Sequence, residues 1–389
     1  MSKLQRHYLD ICSLSVFSGI KEKPLFKQFM NIFSSNEADK MISAYSEMIN
    51  TVYKNGGSLT AAVRKVLFED ENVYVRAKAK GEEVCDVIRT SFYREIGVLQ
   101  NFANLTVRDF EEHICFPRLA PFITEKSDLL SEFDNRLAEI QKHGYGIFAS
   151  YPMFRLDECG EIVPVISFDK VALNEFVGYD DERASVVENT KAFLLGKPAL
   201  NALLYGDAGT GKSSTVKALV NHFYSDGLRL IEIRKNQLSS LPYIMGRISE
   251  NPLKFIIFID DLSFNKNDDN FSMLKAALEG SASVNAENSL IYATSNRRHI
   301  VRETFEDRES DVHRNDTVQE KLSLSDRFGL AVLFGKPSKQ LYLEIVHNLA
   351  ERYGISMDLS YLDIKAEEFA LRRGNRSPRC AEQFIKSLI

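Results

Sequence analysis

The stretch Gly206-Asp207-Ala208-Gly209-Thr210-Gly211-Lys212-Ser213 decides how this chain is read. It fits GxxxxGK[ST], and its surroundings sharpen the match. The apolar run Ala202-Leu203-Leu204-Tyr205 leads into it, and Val216, Leu219, Val220 and Phe223 follow at helical spacing. Strand, glycine loop and helix together let backbone N–H groups turn inward around phosphate oxygens, with the positive end of the helix behind them. The residues from Gly206 to Ser214 are therefore candidates for binding a nucleotide. Lys212 is placed to reach the β- and γ-phosphates, and Ser213 to ligate Mg²⁺. The plain alternative is a glycine-rich turn with a surface lysine.

Four further motifs follow in order. Phe255-Ile256-Ile257-Phe258-Ile259 reads as a strand buried on both faces and ends in Asp260-Asp261, at the strand end where open α/β sheets bind ligands. Asp260 is expected to support the metal through Ser213 or a bound water, and Asp261 to polarise an attacking water. Leu290-Ile291-Tyr292-Ala293-Thr294 is a second such strand, running on to Ser295-Asn296, and Asn296 is expected to orient that water. Ser325-Asp326-Arg327-Phe328-Gly329 precedes the last strand, Leu330–Phe334. In Gly374-Asn375-Arg376-Ser377-Pro378-Arg379, Ser377 and Pro378 read as helix cap and first helical residue, so Arg379 falls in the first turn facing the nucleotide cleft. A solvated surface is the alternative for Arg372, Arg373 and Arg376.

Leu228–Ile233 completes a set of five strands alternating with helices, which predicts a parallel sheet in the α/β class. The ordered motifs resemble the AAA+ ATPase superfamily over about residues 170–389. That resemblance implies ATP and Mg²⁺ as cofactors, a helical lid carrying Arg379 at 339–389, and a core at 170–338. It also implies Arg327 as an arginine finger supplied to the adjacent subunit of a homo-oligomer. It makes Val177 and Gly178, within Leu173-Asn174-Glu175-Phe176-Val177-Gly178-Tyr179, the backbone stretch lying against adenine. More narrowly, Asn189–Gly196, Asp260–Phe264 and Ala293–His299 are similar to one bacterial family of predicted ATPases with no assigned role, a match reaching back to about residue 145. Most AAA+ enzymes carry Asp-Glu where this chain has Asp260-Asp261. A carboxylate one methylene shorter sits about 1 Å further from the water, and misplacement on that scale costs about 100-fold in rate.

Outward from the core, residues 1–144 read as a helical accessory domain. Ser34 and Glu37 fit a capping box, Ser58 a cap, and helices are expected near 106–115 and 127–142, the last with Leu129, Leu130, Phe133, Leu137 and Ile140 inward. Tyr145–Leu156 and Glu161–Ile166 read as a β-hairpin linker over 145–169. Tyr243-Ile244-Met245-Gly246 mimics the pore loop of unfoldases but fits an ordinary helix start after Pro242 equally well.

Composition narrows the function classes. The 389 residues carry 49 Lys plus Arg against 54 Asp plus Glu, a balance that argues against an extended nucleic-acid face. Near the expected cleft, only Arg297, Arg298, His299 and Arg302 form a local basic patch, which could touch a neighbouring subunit's nucleotide, a polynucleotide backbone or solvent. Five scattered cysteines form neither a disulfide framework nor a metal motif and suit a reducing cytoplasm. Arg6 and Asp10 interrupt any signal-peptide core, and no run spans a membrane. The expected function is an ATPase that couples Mg-ATP binding and hydrolysis to remodelling or loading a macromolecular partner, recruited as a protein through the N-terminal helices. The alternatives are a slowly hydrolysing switch or adaptor, and a nucleic-acid-associated loader.

Overall fold

The computed structural model describes residues 1–168, 171–263, 269–278, 287–296 and 327–389. They divide into two compact units: Met1–Ser150 with Glu250–Leu253, and Tyr151–Ser249 with Lys254–Ile389.

The first unit is helical, with α1 (Lys3–Cys12), α2 (Pro24–Asn31), α3 (Ala38–Tyr53), α4 (Leu59–Phe68), α5 (Val73–Lys80), α6 (Asp86–Ala103), α7 (Val107–Ile114), α8 (Leu129–Ala138) and α9 (Ile140–His143). Its core is rich in stacked and edge-on phenylalanines, among them Phe17, Phe26, Phe29, Phe92, Phe102 and Phe110. Ser58 caps α4 as expected by accepting the Ala61 N–H. Ser34 is no cap: its hydroxyl donates to the Asn31 carbonyl at the end of α2, and α3 begins only after Glu37. The helix expected over 127–142 is broken at Glu139, and Leu130 points outward.

Asp70 lies buried between α4 and α5, accepting from the Asn72 side-chain amide at 2.8 Å. Burial pushes its carboxyl up to about 6, against the pull of Asn72 and Lys23. A carboxyl raised on folding contributes stability that is present below its unfolded value near 4 and lost as pH rises through 6. Asp70→Asn is therefore expected to stabilise the first unit by about 2 kcal/mol more at pH 8 than at pH 4.5. Chemical denaturation at the two pH values measures this, and an equal increment at both contradicts it.

The second unit is built on a seven-stranded sheet. Its strands are β1 (Met153–Leu156), β2 (Ile162–Pro164), β3 (Ala202–Gly206), β4 (Leu228–Ile233), β5 (Lys254–Ile259), β6 (Ser289–Ser295) and β7 (Leu330–Phe334), in the order β2-β1-β4-β5-β6-β3-β7. All neighbours are parallel except β1 and β2. The five expected strands form the parallel centre, and the helical lid expected beyond them is present. The hairpin is not a separate linker. β1 pairs with β4, Phe154 opposite Ile231, and extends the sheet to seven strands. Its first limb is also shorter than expected. Gly144 and Gly146 adopt positive φ, a turn forms at Gly146–Ala149, and residues 145–150 belong to the first unit.

Around this sheet lie α10 (Asp180–Leu194), α11 (Lys212–Phe223), α12 (Leu241–Ile248) and α13 (Asp269–Leu278). The lid comprises α14 (Lys339–Arg352), α15 (Leu359–Arg373) and α16 (Pro378–Lys386), packed on their own core of Tyr342, Val346, Leu362, Ala366, Ala381 and Phe384. Tyr243–Gly246 lies inside α12 with Ile244 and Met245 buried, so these residues form a packed helix rather than a loop. Among the described residues, no helix is long and apolar enough to cross a membrane.

Candidate nucleotide site

Strand register brings the candidate residues together. Leu204 of β3 lies opposite Thr294 of β6, and Ile259 of β5 opposite Ala293, so the chain leaves β3, β5 and β6 at one edge of the sheet. The glycine loop leaves β3 there, Asp260-Asp261 leaves β5, and Asn296 leaves β6.

The loop turns sharply at Gly206, where φ is 131° and a Cβ would run into the Phe334 carbonyl of β7. The Asp207 N–H donates to that same carbonyl at 3.0 Å. Gly211, also at positive φ, caps α11, which begins at Lys212. Asp207 and Ala208 are exposed at the loop tip, while the buried Thr210 hydroxyl donates to the Asp207 carbonyl at 2.8 Å. Lys212 is 6% exposed. Its ammonium donates to the Gly206 carbonyl at 3.0 Å, the Asp207 carbonyl at 2.7 Å and Asn296 Oδ1 at 3.3 Å. Burial draws this ammonium below its ordinary range, opposed by Asp207, Asp260 and Asp261. A cation so placed, with its donors on loop carbonyls, is ready to exchange them for phosphate oxygens.

Asp260 and Asp261 differ in their surroundings. Asp260 Oδ1 accepts from Ser213 Oγ at 2.6 Å, Thr294 Oγ1 at 2.5 Å and the Asp261 N–H at 3.2 Å. Asp261 is exposed, with φ 52° in the left-handed region. Its N–H also reaches Thr294 Oγ1 at 2.9 Å, and its carboxylate accepts from Asn296 Nδ2 at 2.9 Å. Thr294 thus joins both aspartates through one buried hydroxyl, a role not assigned from the sequence, where it reads as one more polar residue at a strand end. The Leu262 N–H donates to the Thr294 carbonyl at 2.7 Å and closes the turn.

This donor set fits Mg²⁺ with a triphosphate. Among the described residues, no group of three or more His, Cys, Asp or Glu would hold a metal unaided. Magnesium is commonly held by one or two protein oxygens together with waters and phosphates, as Ser213 and Asp260 would allow.

The lid reaches the loop. Ser377 caps α16, and the Arg379 N–H donates to the Gly209 carbonyl at 3.2 Å. A cavity of about 240 Å³ opens beside this contact, and Val177, Gly209, Thr210, Gly211, Ser214 and Arg379 are among the residues lining it. Gly178, expected with Val177, does not line it, and its Cα packs under Leu341 of α14. Arg376 turns away into an ion pair with Glu367. Arg327 is not part of this site within the protomer. It precedes β7, whose far end, Phe334, pairs with Gly206, so a strand length of roughly 15 Å separates it from the loop. Ser325, Asp326, Phe264 and the basic cluster Arg297, Arg298, His299 and Arg302 lie outside the described residues.

Residues 149–389 match the family model described as "Protein of unknown function (DUF815)". No curated protein matches the sequence. Among solved structures, the chain is similar to RuvB of Thermotoga maritima, described as a Holliday junction branch migration motor, at 14% identity, over 55% of this chain and 63% of that chain, with a TM-score of 0.39. It is likewise similar to a point mutant of that RuvB, at 18% identity, 55% and 64% coverage and a TM-score of 0.38. The chain thus spans less than two thirds of the length of these RuvB chains.

Proposed function

From the premise that the chain belongs to the DUF815 family, whose description assigns no activity, we propose that its own site is that of an Mg²⁺-dependent ATPase which couples nucleotide turnover to remodelling or loading a macromolecular partner. The observation that carries this reading is the convergence of Lys212, Ser213, Asp260, Asp261 and Asn296, joined by hydrogen bonds of 2.6 to 3.3 Å, beside a glycine loop that opens a helix.

In this reading the loop N–H groups and Lys212 bind the phosphates, and Ser213 and Asp260 hold the metal. Bound magnesium would supply neutralisation of phosphate charge. Asp261 accepts a proton from the attacking water, and Asn296, already donating to Asp261, fixes that carboxylate's orientation. The contact between Arg379 and Gly209 supports a lid that responds to the state of the loop, the kind of motion an AAA+ protein passes to a partner.

Arg327 completes the site from a neighbouring copy, because its own P-loop is a strand length away. Charge developing on the transferring phosphoryl group then meets an arginine only in the assembled state, a contribution of about 10³-fold or more. Phosphate release should rise faster than linearly with protein concentration, and Arg327→Ala should abolish that rise while leaving ATP binding intact. Turnover strictly proportional to concentration, with Arg327→Ala active, contradicts the trans role. Absence of ATP turnover at every concentration contradicts the ATPase itself. The first unit is proposed to recruit the partner as a protein.

A further inference from the structure

The lid leaves the sheet through Gly335-Lys336-Pro337-Ser338, the four residues between β7 and α14. A groove of about 590 Å³ runs along this connection, with Asp180, Gly335, Pro337 and Leu341 among its lining residues. The backbone at Gly335 therefore has room to turn. A tyrosine holds it instead. The buried Tyr179 donates its hydroxyl to the Gly335 carbonyl at 2.6 Å, and its ring stacks on Phe334 with 5.4 Å between centres.

Tyr179 keeps this place in an unfavourable backbone state. Its φ is 57°, a left-handed conformation that aromatic residues rarely adopt and glycine ordinarily fills. Such strain persists only where the surroundings over-determine it, and it gathers at segments that switch. Burial pushes the phenol up to about 12, so the hydroxyl remains a donor at neutral pH. The residues before it grip the lid as well. Val177 packs against the lid core, Gly178 lies under Leu341, and Glu175 pairs with Arg352 at the end of α14. On the sheet side of the hinge, the Phe334 carbonyl accepts from the Asp207 N–H of the glycine loop at 3.0 Å. Tyr179 thus touches both the strand residue held by that loop and the first hinge residue beyond it.

We propose that Tyr179 is a positioning residue for the lid: its bond to Gly335 sets the angle at which α14 leaves the sheet. The Arg379 N–H meets the Gly209 carbonyl only while that angle is kept. This rests on the nucleotide reading for the signal it carries, since a shift of the loop on binding phosphates reaches the hinge through Asp207 and Phe334. It adds a control on the lid that lies outside the phosphate loop.

The test is amide hydrogen exchange on the full chain at neutral pH, comparing the native protein with Tyr179→Phe and Gly335→Ala. Phenylalanine keeps the ring and removes only the hydroxyl. A Cβ at Gly335 meets nothing within 4 Å, so alanine fits there and narrows the freedom of the hinge. The Arg379 amide reports the lid, because its acceptor is a loop carbonyl rather than one in its own helix. In the ligand-free protein it should exchange about fivefold faster in Tyr179→Phe, the worth of one hydrogen bond, and at least about twofold slower in Gly335→Ala. Amides inside α14 and β3 should keep their native rates. At saturating Mg-ATP, Tyr179→Phe should bind with unchanged affinity and turn over about fivefold more slowly. Unchanged Arg379 exchange in Tyr179→Phe overturns the inference, as does faster exchange spread through α14 and β3, the mark of a merely structural role. Two variants that shift Arg379 in the same direction overturn the hinge. Native turnover in Tyr179→Phe despite altered exchange overturns the link to the nucleotide. A native protein that binds no Mg-ATP overturns the nucleotide reading and that link with it, while the ligand-free rates still decide whether Tyr179 holds the lid.

Discussion

Lys212→Ala should weaken Mg-ATP binding by at least about 100-fold, measured as the shift in dissociation constant by calorimetry at moderate salt. The magnitude follows from what the ammonium does. It is nearly buried and holds two loop carbonyls at 2.7 and 3.0 Å, so it is a positive charge already stripped of most of its water. Exchanging those carbonyls for phosphate oxygens replaces neutral acceptors with charged ones. Hydrogen bonds involving charged groups are worth about 1.5–3 kcal/mol each, and two of them correspond to a factor of roughly 10² to 10⁴. Alanine removes both and strands the Gly206 and Asp207 carbonyls. Lys212→Arg should recover little. A planar fork on a different stem cannot occupy the same point between Gly206, Asp207 and Asn296. Retained affinity in Lys212→Ala, within about threefold, would remove the nucleotide assignment altogether.

The contrast between Lys212 and Arg183 shows what is legible in the sequence. Lys212 announces itself because its neighbours are local. The glycines, the preceding strand and the following helix all lie within about 20 residues, and each has a distinct backbone requirement. Asp260, Asp261 and Asn296 are readable for a similar reason, since each follows an apolar run that must be a buried strand. Arg183 sits in Asp180-Asp181-Glu182-Arg183, which reads as a solvated helix start. Yet it is buried, with its guanidinium 5.1 Å from the centre of the Phe176 ring, a packing that no local spacing announces. Thr294 is hidden for a related reason. Its hydroxyl meets both aspartates only because β6 pairs with β5 in one register, and a shift of one residue would turn it to the other face. The hairpin shows the same limit in the fold: its turn is readable, but the pairing of Phe154 with Ile231 is not, because parallel neighbours leave no local signature.

Asp261→Glu, which installs the residue usual in AAA+ enzymes, should lower turnover by about 10- to 100-fold rather than raise it, with Mg-ATP affinity unchanged. The reason is the backbone. Asp261 takes φ 52°, with its N–H turned back onto Thr294 Oγ1 at 2.9 Å and Asp260 Oδ1 at 3.2 Å. Aspartate tolerates this left-handed conformation better than glutamate does, because its short polar side chain bonds locally. In that turn the carboxylate already reaches Asn296 Nδ2 at 2.9 Å. One more methylene, about 1.5 Å of chain, carries the carboxylate past Asn296 and frees it to swing among rotamers. The shorter acid is thus matched to a strand end that Thr294 pulls inward, and the methylene missing from the side chain is compensated by the turn in the main chain. Asp261→Asn keeps the length and the turn but loses the proton acceptor, so it should fall further, by about 10² to 10⁴, the usual worth of general-base assistance. Single-turnover phosphate release, with binding measured in parallel, separates these effects. An Asp261→Glu protein that turns over faster than the native one would show that the Thr294 turn leaves the aspartate short of its water, and the geometric match argued for this pair would be wrong.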